Sequence, residues 1–378
     1  MPLTVVVDPV MDGHHPQAVA NVASFLQAAG HEVLLLTQVG ATGTTEYAEY
    51  LGDSTIKTAE PFTSPIPPTR EIAEAVAAVC RAQPVHTVVL MDADVALKSW
   101  WRHAPRAMRG ISPRPRFVLM LTRYPARAGL KPISWKLKAP KAVLSVVART
   151  RGVADRVAGF AGRDDMSTGV VVKRARDPEI CGAHSRDRAA LRAELDLPAD
   201  RKLVGVFGMI SERRNSHLIF EAIEQGGIDA DLLLAGPISP EVTEWVDRLP
   251  AERRARIQVR PGFHPNDLLD KYVAAVDVAP IPLSNNGPSG IMGKATAAGV
   301  PVVTAGSNVR RQEILATGAG VATDLTVEAL AAGIRDMLER DPADLPPRRV
   351  PPATADEFVS AVLGMDASGR LFKGPVPR

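Results

Sequence analysis

Four short stretches carry residues whose types and spacing can do chemistry. The first is "SNNGPSGIMGKATAAGVPVVT", from Ser284 to Thr304. Small residues lead into a helix with the single charge of Lys294, then into an apolar strand. It resembles a phosphate-binding P-loop only superficially. Gly287 stands six positions before Gly293 rather than five, and Ala295 follows Lys294 where a hydroxyl would hold magnesium. The second stretch, "VFGMISERRNSHLIFEAI", ends a strand at Gly208 and sets Arg213 and Arg214 before an amphipathic helix. Arginine disfavours a helix start but binds diphosphate bidentately there, so an anion site is the reading. The third, "DPVMDGHHPQAVANVASFLQAAG", follows the first strand. Gly13 lets a ligand approach the backbone, and His14 or His15 can hydrogen-bond a substrate or carry a proton. The fourth, "MDADVAL", puts Asp92 and Asp94 at a strand end. They can hold a divalent metal with a nucleotide diphosphate, or simply cap the next helix. No glycine fingerprint for a nicotinamide dinucleotide follows Val7.

Such residues need elements to position them. Apolar runs alternate with helical patterns along the chain. Strands are expected at 3–8, 32–37, 86–92, 116–121, 142–148 and 168–173, and then at 203–209, 231–236, 257–260 and 277–283. Runs this continuous suit parallel sheets covered by helices on both faces. The polar segment "RARDPEICGAHSRDRA" reads as a linker. The expected architecture is α/β, with two doubly wound Rossmann-like domains facing across a cleft. The expected divisions are 1–175, 176–345, and a Pro-rich crossing with a last helix over 346–378.

The totals agree with two domains. The chain has 378 residues, 46% of them apolar. No apolar run approaches the roughly 20 residues that span a bilayer. The start "MPLTVVVD" reads as a strand, with no signal peptide expected. Cys80 and Cys181 are the only cysteines, which suits a reducing, cytoplasmic setting. Abundant Arg, Ala and Pro point to a GC-rich coding genome, as in many bacteria. The net charge of +3 hides one asymmetry: Leu97 to Val157 holds fifteen Lys or Arg and one acid, Asp155. Trp100, Trp101 and Trp135 lie among them. Two readings stand: a solvated basic face, or a peripheral contact with anionic lipid, as at the inner face of a membrane. No nucleic-acid motif accompanies the patch, so nucleic acid is not expected as a partner.

The second half resembles the nucleotide-binding domain of two-domain GT-B glycosyltransferases, above all the retaining group called family 4. The similar pieces come in order: "GMISERRNSHLIFEA", "LLLAG", "VRPGFHPNDLLDKYVAAVDVAPIPL", "GKATAAGVPVVT" and "RRQEILATGAGV". The likeness covers roughly 200–345 and is thinner over 1–170. Met209 replaces that group's usual arginine after Gly208, while Arg214 keeps the charge of its usual lysine. Asn286 and Lys294 replace its two glutamates, eight residues apart, giving a degenerate Glu-x7-Glu motif. The resemblance implies transfer of a sugar from a nucleotide-sugar donor to an acceptor, with retention and without a metal or other cofactor. It places Arg214, Lys294 and the N–H groups around Ser289 and Gly290 on the diphosphate, with Gly13 opposite. Asn286 would face the sugar, Glu313 the sugar or ribose, and Arg260 to Phe263 the base. His14, His15, Arg123 and Tyr124 would face an acceptor whose identity stays open. Two rivals remain: a non-catalytic relative that binds a nucleotide or a partner protein, and a sugar-nucleotide epimerase of the same fold.

Overall fold

A computed structural model describes residues 1–11, 15–124, 132–184, 187–283, 289–341 and 344–372. The chain divides into two compact units. The first comprises Met1–Ala161, Asp165–Arg176 and Thr354–Arg378; the second comprises Gly162–Asp164 and Asp177–Ala353.

The first unit is built on one parallel sheet. Its strands are β1 (Leu3–Val7), β2 (Glu32–Gln38), β3 (Lys57–Phe62), β4 (Thr87–Leu90), β5 (Arg116–Leu121), β6 (Arg156–Ala161) and β7 (Lys173–Arg176). Their spatial order is β3-β2-β1-β4-β5-β6-β7. Successive strand side chains point to opposite faces. Val5, Val7, Val88, Leu90, Phe117, Leu119 and Leu121 therefore pack on one face with the helices Thr69–Ala82 and Leu97–Ala107. Val6, Leu35, Val89, Val118 and Met120 pack on the other, with the helices His15–Ala28 and Ala355–Leu363. Burial on both faces is why these strands read as unbroken apolar runs.

Four elements depart from the sequence reading. The run at 142–148 is not a strand but part of the helix Pro132–Thr150. Ser145 and Ala148 are buried while Val143 and Val146 are exposed, a helical period rather than alternation. The expected strand at 168–173 begins only at Lys173. β3 and β6 went unread, because "KTAEPF" and "RVAGFA" lack an apolar run.

The second unit repeats the plan. Its strands are β8 (Lys202–Phe207), β9 (Ala230–Gly236), β10 (Ile257–Pro261), β11 (Ala279–Pro282), β12 (Val302–Ala305) and β13 (Gly320–Thr323). They pair in parallel as β10-β9-β8 and β11-β12-β13. A parallel bridge between Val204 and Val278 joins the two sets, with Gly205 N–H donating to Val278 O at 2.9 Å. The chain moves outward from β8 on one side and from β11 on the other. The seam between them is the topological switch point, where open α/β sheets bind ligands beyond the strands' carboxyl ends. The first sheet has its own switch point between β1 and β4.

Candidate functional site

The loop after β8 is shaped by its turn. Gly208 has φ +75, which a side chain would strain. Its missing Cβ would lie 3.3 Å from Arg214 Nη2, so the guanidinium folds over the glycine. Arg214 Nε donates to Met209 O at 3.1 Å. Asn215 follows in a left-handed conformation (φ 54) and donates from Nδ2 to Pro282 O at 2.5 Å. That bond ties the loop to the end of β11, across the switch point. Burial and then the neighbouring Arg213 hold Arg214 below the usual arginine pKa. Among the described residues Arg214 has no carboxylate partner. Met209, where the resemblance expects arginine, is 55% exposed.

A second arginine, which the sequence reading passed over, sits nearby. Arg310 is fully buried in the helix Asn308–Thr317 and donates to Leu283 O, just past β11. Burial pushes its pKa down to about 10; Glu313 opposes the shift and Arg214 adds to it. Two guanidinium groups thus share one field at the switch point. Desolvated cations favour an arriving anion.

Ser289 caps the helix Gly290–Ala297, its side chain accepting from Met292 N–H. Its carbonyl accepts from Arg163 Nη1 at 3.2 Å. Arg163 is 1% exposed and pairs with Asp177 and Glu313. Its guanidinium fills the space where a side chain on Gly293 would stand, so that helix position needs glycine. Glu313 is fully buried, and Oε2 makes no hydrogen bond among the described residues. Burial pushes its pKa up to about 7, against the pull of Arg163. Glu313 therefore faces Arg163, with no exposed surface of its own. Lys294 is likewise engaged: Nζ donates to Asp270 at 2.5 Å and to Asn266. Asp270 is itself buried, so Lys294 meets a carboxylate within its own unit. Arg260 and Phe263 lie at the carboxyl end of β10, the sheet edge. Arg260 Nη2 donates to Asp196 O at 2.7 Å, and Phe263 is 42% exposed.

In the first unit the switch point holds an acid–imidazole pair. Asp8, just past β1, is buried and accepts from His15 Nδ1 at 3.0 Å and from Val10 N–H at 3.1 Å. Burial raises the Asp8 pKa, and His15 opposes the rise. After β4, Asp94 is held by Lys141, by Thr122 Oγ1 at 3.0 Å and by Arg123 N–H at 2.9 Å. Asp92 accepts from Thr122 Oγ1 at 3.2 Å. Hydrogen bonding and the Lys141 charge draw the Asp94 pKa down, against burial. Among the described residues no group of three or more His, Cys, Asp or Glu is arranged to hold a metal. Arg123 is exposed; Tyr124 is buried, with the Arg174 guanidinium 5.2 Å from its ring centre. Gly13, His14 and Asn286 lie outside the described residues. The second unit thus brings together Gly208, Arg214 and Arg310, and separately Ser289, Arg163 and Glu313.

No family model matches the chain, and no curated protein matches it by sequence. Solved structures do match along nearly its whole length. Sucrose-phosphate synthase from Thermosynechococcus elongatus superposes with TM-score 0.64 at 17% identity, over 96% of this chain and 94% of its own. Anabaena HepE in complex with UDP-glucose gives 0.62 at 16% identity, over 97% and 94%. A glycosyltransferase from Rickettsia africae gives 0.62 at 16%, over 98% and 94%. The chain therefore has the fold of these proteins, the GT-B architecture of two Rossmann-like domains.

Proposed function

We propose that the chain is a glycosyltransferase that moves a sugar from a nucleotide-sugar donor to an acceptor. The observation that carries this reading is Arg214. It is a half-buried guanidinium with no carboxylate partner among the described residues, folded over Gly208 at a topological switch point. A leaving diphosphate is the anion that such a group serves. Arg310 adds to the positive field there. Similar structures support the donor class, since HepE is described with UDP-glucose and with UDP. In this reading Arg163, paired with Glu313, is the positioning residue that holds the Ser289 carbonyl. Lys294 orders Asp270 and Asn266 rather than meeting phosphate. Charge stabilisation by these cations lets the transfer run without a metal.

Retention of anomeric configuration follows the resemblance to family 4. The Asp8–His15 pair favours a second reading, in which His15 takes the acceptor proton and the configuration inverts. We also propose a peripheral contact with anionic membrane through 97–157. The helix Pro132–Thr150 leaves Val143 61% and Val146 44% exposed, with Lys136 and Arg149 exposed on the same helix. Among the described residues no helix is long and apolar enough to cross a membrane.

The experiment is a panel of nucleotide-sugars incubated with the purified protein. Release of nucleoside diphosphate is followed by chromatography, and the product anomer by NMR. Slow donor hydrolysis or transfer is the expected result. Tight nucleotide binding without either would establish the non-catalytic reading, and interconversion of the sugar the epimerase. Binding of no nucleotide-sugar at all would refute the proposal.

A further inference from the structure

A second basic site lies in the first unit, at the other end of the sheet from Asp8 and Asp94. Arg116, Arg156 and Lys173 are the first residues of β5, β6 and β7. With Arg149 they bring four cations to a pocket of about 410 Å³, against one carboxylate, Asp155. The far end of β5 is roughly 17 Å away along the strand.

Part of this charge has a structural task. Arg116 Nη2 donates to Leu363 O at 2.5 Å, and Arg156 Nε to Ala361 O at 2.9 Å and Val362 O at 3.0 Å. The two guanidiniums thus cap the carbonyl end of the helix Ala355–Leu363. Asp155 is also occupied, since Phe117 N–H donates to it at 2.8 Å and Arg114 approaches to 3.8 Å.

The cap leaves a surplus. Arg149 and Lys173 take no part in it, and among the described residues Lys173 donates only to Gly169 O at 3.0 Å. Arg116 Nη1 is buried without an acceptor among the described residues, an unfavourable state for a charged donor unless an acceptor arrives. Burial, and then repulsion by neighbouring arginines, pushes Arg156 down to about 10 and draws Lys173 below the usual lysine range. Leu371 and Phe372 add an apolar wall.

We propose that this pocket binds the phosphate group of a small phosphorylated molecule, with its carbon portion against Leu371 and Phe372. Its volume is that of a small-molecule site, for which about 300 Å³ is the lower bound. Planar guanidiniums suit a phosphate's oxygens, and a doubly charged anion offsets most of the surplus. The proposal is independent of the donor reading, because every lining residue belongs to the first unit.

The test is calorimetric titration at low ionic strength, using the full chain. Arg214→Ala is the background, so that the second unit's anion site contributes little. Pyrophosphate is one probe. Dihexanoyl phosphatidic acid below its micelle concentration is the other. Adding Arg149→Ala and Lys173→Ala should weaken the preferred probe at least tenfold, while Arg149→Lys should retain it. Neither alanine touches the helix cap. If the double change fails to fold, Arg149→Glu alone, at an exposed position, should give the same loss. Preference for pyrophosphate assigns the site to a soluble phosphate ester; preference for the lipid assigns it to a headgroup. Absence of binding by both probes, or affinity unchanged by Arg149→Ala with Lys173→Ala, overturns the proposal.

Discussion

Replacing Arg163 by methionine should destabilise the second unit by about 3–5 kcal/mol at pH 8. The stem keeps its bulk, but four partners lose their donor: Glu313, Asp177, Ser289 O at 3.2 Å and Pro178 O at 3.3 Å. Glu313 is 0% exposed and Asp177 17%, so water replaces little of the lost charge. The loss should also depend on pH. The folded-state pKa of Glu313 is raised from 4.5 to about 7. Its stabilising contribution is therefore fully present below 4.5 and lost as pH rises through 7. Without Arg163 the folded pKa rises further, so that loss continues above 7 at about 1.4 kcal/mol per pH unit. The variant should accordingly be hurt more at pH 8 than at pH 5.5, and adding Glu313→Gln should restore part of the difference. Urea titration read by hydrogen exchange in peptides from the second unit isolates the effect from the first. A loss under about 1 kcal/mol at both pH values, or an equal loss at both, would refute the view that a buried ion pair holds Ser289 in place.

Four further outcomes are expected. Arg214→Ala should weaken UDP binding by at least ~1.5 kcal/mol, more than tenfold, in calorimetry; an unchanged affinity removes Arg214 from the site. His15→Ala, and Asp8→Asn by way of His15, should slow transfer by about 10²–10⁴ if the imidazole is the base; wild-type rates in both retire the inverting reading. EDTA should leave transfer intact, whereas loss of activity with rescue by manganese would bring Asp92 and Asp94 forward as metal ligands. Anionic vesicles should bind the protein in a salt-sensitive way, more weakly after Val143→Asp; a failure to sediment with them at low salt leaves a solvated basic face.

Much of the fold was legible because buried parallel strands advertise themselves. β1, β5, β8 and β9 are apolar throughout their length or nearly so. β3 was not legible, since "KTAEPF" is an edge strand with one buried residue. The run at 142–148 is ambiguous in sequence because Val, Leu and Ala in a short run satisfy both periods. At the site, Gly208 and Arg214 could be found from their spacing after a strand. Arg163 and Arg310 could not. A buried arginine has the same letter as an exposed one, and only the fold supplies the carboxylates and carbonyls that hold it. Arg163 also followed β6, a strand that had itself gone unread. Asp8 was visible only as the end of a strand, and its pairing with His15 emerged once the helix start was placed.

The segmented first unit bears on how the protein is made. The helix Ala355–Leu363 supplies Phe358, Val359, Val362 and Leu363 to the core that also contains Val6 and Leu26. Burying four such side chains is worth roughly 6–12 kcal/mol, a sum comparable to the whole stability of an ordinary domain. During translation the first unit must wait for that helix with one face of its sheet partly bare. The second unit, almost entirely contiguous over Asp177–Ala353, has all its strands already made. The unit begun second should therefore finish folding first. A chain truncated after Ala353 and released from the ribosome should hold a protease-resistant second unit beside a first unit that is still cleavable.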